Sequence, residues 1–268
     1  MTAANAEQPP LLSVREMSVR FRMRAGRHIA AVNDVSFDLK AGECLALVGE
    51  SGCGKSVLAS ALLGLLPENA DTTGTATLDD GLELLGADEQ HLARRVRGRR
   101  IGLIPQSPAA HLTPVRTVRS QLAETIRELT DTPKAGLAEA TEKAAARAHF
   151  PPGHLDRHPH ELSGGLAQRA ATALALVGGA PLLIADEPTT GLDRDLVDST
   201  VDELRRHVDA GHALLIITHD LAAAERIADR VAVMYAGRIA ETAEAKAFFT
   251  DPGPRHPYAH ALLNALPE

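Results

Sequence analysis

Five apolar residues, Cys44-Leu45-Ala46-Leu47-Val48, run straight into the octapeptide Gly49-Glu50-Ser51-Gly52-Cys53-Gly54-Lys55-Ser56, and a helical pattern over 56–66 follows. That order constrains the fold more than any other stretch of the chain. Phosphate oxygens need many convergent N–H donors, so the backbone must curl closely round them, and glycines permit both the dihedrals and the near approach. A helix beginning near Gly54 then aims its positive end at the anion. In this geometry Lys55 reaches the β- and γ-phosphates and the Ser56 hydroxyl ligates Mg²⁺. All eight residues are therefore read as the cradle of a nucleoside triphosphate.

At 268 residues the chain is long enough to bury a full core. Its formal net charge of −7 and its 3% aromatic content argue against a nucleic-acid partner, which needs a basic footprint and stacking platforms. Cys44 and Cys53, one in a strand and one in the glycine-rich loop, do not read as a disulfide framework and fit a reducing compartment. Met1 to Pro10 lacks the basic start and apolar stretch of a signal peptide, and no apolar run approaches the roughly 20 residues of a membrane helix.

Periodicity predicts short strands over 11–17, 18–23 and 31–39, an antiparallel flap that leads into the strand at 44–48. Further strands are predicted at 74–78 and 101–104, and a helical pattern rich in alanine and leucine occupies 118–150. Strand and helix then alternate: strands at 181–185, 213–218 and 231–235, with helices at 195–209 and from 221 onward. Apolar strands joined by helices imply a parallel sheet covered on both faces. The expected fold is α/β: a phosphate-loop NTPase core with a parallel sheet, an antiparallel β flap and an inserted helical subdomain. The whole chain, 1–268, is read as one ATP-binding domain, with the helical subdomain at about 107–178 and a C-terminal extension at about 244–268.

Leu182-Leu183-Ile184-Ala185-Asp186-Glu187 is an apolar strand ending in two acids, where a parallel sheet presents ligands. Asp186 would hold Mg²⁺, and Glu187, one step beyond, can orient and deprotonate the water that attacks the γ-phosphate. Leu162-Ser163-Gly164-Gly165-Leu166-Ala167-Gln168 precedes another helix. A hydroxyl and two glycines at a helix start make a second phosphate-binding surface, whereas one triphosphate needs one cradle. Either Ser163 is a simple helix cap or the surface serves the nucleotide of another chain.

These segments, together with Gly191-Leu192-Asp193 and His219 after the strand Leu214-Leu215-Ile216-Ile217-Thr218, resemble the ATP-binding subunits of ABC transporters, whose motifs occur in this order. Gln106, after Ile101-Gly102-Leu103-Ile104-Pro105, matches the glutamine that in the family connects the metal site to the helical subdomain. The resemblance implies an ATPase with ATP and Mg²⁺ as its ligands, the metal held by Ser56, Gln106 and Asp186. Glu187, His219 and Gln106 would act at the reacting phosphate. Ser163, Gly164, Gly165 and Gln168 would close over ATP held by an opposing subunit, Asp193 would lie in the loop coupling the two sites, and Phe21 falls near the aromatic that stacks on adenine. Read without the family, Phe21 is a flap core residue and His219 an ordinary histidine at a strand end.

Within the family the flanks resemble the oligopeptide, dipeptide and nickel importer branch: Ala31-Val32-Asn33-Asp34-Val35-Ser36-Phe37, Leu112-Thr113-Pro114, His158-Pro159-His160-Glu161, and the tail Asp251-Pro252 with His256-Pro257-Tyr258-Ala259. The implied partners are two transmembrane permease subunits, a second ABC ATPase and, indirectly, an extracytoplasmic substrate-binding protein. The implied location is peripheral, on the cytoplasmic face of the membrane. A soluble ABC ATPase of a phosphonate-cleavage complex is the alternative. Leu166 stands where many relatives carry glutamine or methionine, and 106–111 lacks the acid usual after the glutamine. Arg94, Arg95, Arg97, Arg99 and Arg100 are read as a solvated, permease-facing edge, and His154, His158 and His160 as packing or solvent-facing residues rather than a metal site.

Overall fold

A computed structural model describes residues 9–250 and 252–265. The expected absence of a signal peptide falls largely on residues 1–8, and Asp251 of the tail motif also lies outside the described residues, as do the last three. The flap is a three-stranded antiparallel sheet in the order β2-β1-β4, formed by β1 (Leu12–Arg22), β2 (His28–Leu39) and β4 (Ala70–Leu78). The two strands expected over 11–17 and 18–23 are one. Leu12 and Val14 point inward, then Met17 and Val19, so the alternation slips by one residue at Glu16, which takes a left-handed φ of 49°. A bulge absorbs that slip without ending the strand, and the pattern alone looks like a break.

The main sheet has the order β5-β6-β7-β3-β8-β9: β5 (Ile101–Ile104), β6 (Leu182–Asp186), β7 (Ala213–Thr218), β3 (Cys44–Val48), β8 (Arg230–Tyr235) and β9 (Arg238–Glu244). The first five are parallel, and β3, β6 and β7 are buried along their whole length, as uninterrupted apolar runs require. Successive residues serve opposite layers. Leu45 and Leu47 join the core beneath the flap, while Cys44, Ala46 and Val48 join the core on the other face. β9 is antiparallel to β8 and was not expected from its polar sequence; a two-residue loop, Ala236-Gly237, with φ of 47° and 80°, turns the chain.

The helices are α1 (Lys55–Leu62), α2 (Glu89–His91), α3 (Pro108–His111), α4 (Val118–Leu129), α5 (Leu137–Arg147), α6 (Gly164–Leu176), α7 (Arg194–Asp209), α8 (Leu221–Ile227), α9 (Ala245–Phe249) and α10 (Pro257–Asn264). α1 stops short of the expected Leu66 because Gly64, at φ 61°, ends it in the left-handed conformation that closes helices. Helices α4 to α6 pack round an apolar cluster of their own that includes Leu122, Phe150, Leu155 and Ala170.

Within the arginine run, Arg97 and Arg100 are half-buried. Arg97 donates to the carbonyls of Leu63 and Gly64 at 2.9 and 3.0 Å and pairs with Glu89, Arg99 bonds the Glu128 carbonyl, and Arg100 pairs with Asp79 and Asp80. These three close open carbonyls and acids near the α1 end, the β4 turn and the α4 end; Arg94, Arg95 and Arg99 are exposed. His158 lies 3.3 Å from Glu161 and stacks on His160, and among the described residues no group of three or more His, Cys, Asp or Glu side chains gathers.

Candidate active site

The glycine-rich loop leaves β3 and is wedged between β2 and β8. A Cβ on Gly49 would stand 2.2 Å from the Met234 carbonyl oxygen, and one on Gly54 would stand 2.2 Å from the Ala31 oxygen, both at positive φ. Only glycine fits at either position. Lys55 opens α1 yet is 7% exposed, its Nζ donating to the Gly49 and Glu50 carbonyls at 2.7 and 2.9 Å. The side chain is thereby folded back over its own loop, with the ammonium held beside the cleft. That cleft is lined by Ser51, Gly52, Gly54, Lys55 and Ser56, with Gln106 and Glu187 from across the sheet edge and with Ala31 and Val57. The last two were missed by sequence reasoning; neither carries a polar atom that could have marked it.

Asp186 ends β6 opposite the start of α1. It is 6% exposed, and its Oδ1 is buried without a hydrogen-bond partner. Burial pushes its carboxyl above the ordinary range, and the neighbouring Ser56 hydroxyl only partly offsets this. Ser56, Gln106 and Asp186 line one continuous cleft. An orphaned carboxylate oxygen beside a hydroxyl and an amide is a hard, all-oxygen donor set, which fits Mg²⁺ with waters completing its shell.

Glu187 follows at a left-handed φ of 52°, its N–H donating to the Ile217 carbonyl at 2.8 Å. A non-glycine residue held there is strained by about 1–3 kcal/mol, a cost found at sites where aim matters more than stability. The strain turns its carboxylate back toward the cleft. Oε2 lies 2.8 Å from His219 Nδ1, but the two do not form an aligned hydrogen bond, since Oε2 has no properly oriented donor. The His219 side chain, just after β7, is 67% exposed and reaches Glu187 from the solvent side.

The second glycine-rich segment is elsewhere. Ser163 caps α6, its Oγ accepting from the Leu166 N–H at 3.3 Å, and Ser163 and Gly164 are exposed. A Cβ on Gly164 would meet nothing within 4 Å, and one on Gly165 would touch Leu192, so this turn lies against the loop that carries Asp193. Asp193 itself caps α7 through the Leu196 N–H at 3.0 Å. None of these residues lines the cleft of its own chain. Gln168 is 2% exposed, within the helical layer. Phe21 is half-buried and packs on the core beneath the flap.

The sequence profile of the ABC transporter family matches residues 32–190. A probable peptide ABC transporter ATP-binding protein of Sinorhizobium fredii is 42% identical, across 99% of this chain and 79% of that protein. The oligopeptide transport ATP-binding protein OppD of Salmonella typhimurium is 41% identical over the same shares. Among solved structures, an ATP-binding cassette captured as a dimer in a post-hydrolysis state with ADP and phosphate superposes with a TM-score of 0.79 at 23% identity, covering 87% of this chain and 98% of that one. The last likeness bears on the fold alone.

Proposed function

The chain belongs to the ABC transporter family, and from that membership we propose that it is the ATP-hydrolysing subunit of a peptide importer, acting as one half of an ATPase dimer. The observation that carries the reading is the convergence at one sheet edge of a buried lysine on a glycine cradle, an oxygen-ligand set around Asp186, and the strained Glu187 beside His219.

Each residue has a task set by its position. The loop N–H groups and Lys55 bind the triphosphate. Ser56, Gln106 and Asp186 hold Mg²⁺, which when bound neutralises charge on the β- and γ-phosphates. Glu187 accepts a proton from the attacking water, and His219 fixes the Glu187 carboxylate and faces the γ-phosphate. The exposed Ser163 turn serves the nucleotide of the opposing ATPase, with Asp193 against it, and Gln106 links the cleft to the helical layer. One cassette, with its helical insertion at about 107–178, would sit on the cytoplasmic face beneath two permease subunits. Among the described residues no helix is long and apolar enough to cross a membrane, so the permeases supply the channel. A substrate-binding protein outside would deliver the cargo. The names of the similar proteins favour a peptide over a chelated metal such as nickel.

Glu187→Gln tests the centre of this reading. Turnover should fall by about 10²–10⁴-fold, the range of a lost general base, with ATP binding retained and a stable dimer trapped in ATP. Hydrolysis at the parental rate would remove Glu187 from the role of base.

A further inference from the structure

The phosphate loop is touched from behind by a part of the chain that the proposed reaction leaves unused. The Glu50 backbone N–H donates to the Tyr258 hydroxyl at 3.0 Å, although 208 residues separate the two. Tyr258 is the second residue of α10, and its ring packs on Tyr235 with centroids 4.4 Å apart. Tyr235 is the last residue of β8, beside the turn whose Gly237 N–H donates to the Cys53 carbonyl at 3.0 Å. The start of α10 is itself tied to β9, where the two carboxylate oxygens of Glu241 accept the N–H groups of Arg255 and His256 at 2.9 and 2.7 Å. An unbroken path thus runs from β9 through the tail to the second residue of the cradle.

We propose that Tyr258 is a positioning residue of the nucleotide site: through Glu50 it holds the phosphate loop in its binding conformation, so that the C-terminal extension sets the affinity for ATP. This rests on the ATP-binding reading above. The chemistry is conformational. A loop of small residues at positive φ has many alternatives, and a bound anion must select the one in which its donors converge. A bond that fixes the loop beforehand removes that selection from the cost of binding. Burial raises the Tyr258 phenol above its usual range, so it is neutral at ordinary pH, and its oxygen accepts from the Glu50 N–H. Nothing in this path reaches Glu187, so the step after binding should be untouched.

Tyr258→Phe removes the hydroxyl and keeps the ring on Tyr235. One net hydrogen bond corresponds to about a fivefold change. The Kd for ATP with Mg²⁺ and the KM should each rise by about that factor, kcat should stay within about twofold, and the Glu50 amide should exchange faster with solvent in nucleotide-free protein. Glu241→Ala should move affinity in the same direction and add little in the Tyr258→Phe background, since both act along one path. Parental ATP binding that Lys55→Ala weakens by about 100-fold is the separate test of the underlying reading. With that binding present, an unchanged Kd in Tyr258→Phe overturns the positioning role by itself, and so does a fall in kcat at constant KM.

Discussion

The phosphate loop and the Ser163 turn share their ingredients: small residues, a hydroxyl, and the first turn of a helix. The fold treats them in opposite ways. Around the first, the chain closes in, with the Met234 and Ala31 carbonyls 2.2 Å from where side chains on Gly49 and Gly54 would begin, and with Lys55 drawn back onto the loop. Around the second the chain stays away, leaving Ser163 and Gly164 exposed and Gly164 with open space before it. A surface of helix N–H groups that its own chain leaves open is suited to an anion brought by something else. On the proposed reading, the contrast gives this polypeptide one complete cradle and one lid, the lid meant for a cradle on another copy or a homologue.

The sharpest way to break that contrast is to remove the cation from the complete half. Lys55→Ala should weaken ATP binding by about 100-fold, the upper range for a hydrogen bond to a charged group, as measured by titration calorimetry. Retained affinity would mean that the glycine backbone alone carries the phosphates. The lid is tested by dilution. ATPase activity per mole should fall with decreasing protein concentration, and Ser163→Ala should lower turnover by about tenfold or more through loss of a bond to a charged oxygen. Its folding stability should drop by only about 1 kcal/mol, the usual cost of a lost helix cap. If Ser163→Ala lost stability alone, with concentration-independent turnover, Ser163 would be a cap and nothing more.

How far the sequence foretold this contrast depends on the range of the interactions that create it. The octapeptide is local, so its order of strand, loop and helix was legible at once, as were the buried parallel strands, whose apolar runs have no other use. Asp186 and Glu187 could be placed because the end of a parallel strand is a fixed address in the fold. Depth could not be read. Gln168 stands three residues beyond Gly165, yet the helical period turns it inward to 2% exposure, and nothing in its neighbours announces which face of α6 meets the core. The bonds of Arg97 were hidden for a related reason: its partners, the Leu63 and Gly64 carbonyls, lie tens of residues away. β9 was hidden because edge strands with polar faces lack the periodic signal of buried ones. The strain at Glu187 was equally invisible, since it comes from the Ile217 carbonyl on a neighbouring strand.

The seam between the helical layer and α7 offers the finest test. Arg147, at the end of α5 in the helical layer, approaches the buried Glu203 of α7 at 3.4 Å, and His207, one turn further along α7, is buried with its Nε2 unpaired and its ring stacked on His212. Burial first, and then the charges of His212 and Arg147, push His207 down to about 4. Its folded value thus lies below the ordinary value of about 6.5, so between those two pH values the unfolded chain binds a proton that the fold refuses. Stability from this group is full above about 6.5 and is lost as pH falls toward 4. Between pH 7 and 5.5 the loss should be about 1 kcal/mol, seen as a fall of a few degrees in the apparent Tm. His207→Gln should flatten that slope while leaving ATP affinity at pH 7 unchanged, because the seam lies away from the cradle. A parallel loss of affinity would instead mean that the helical layer and the phosphate loop are coupled before any second subunit arrives, and the separation of cradle from lid would have to be redrawn.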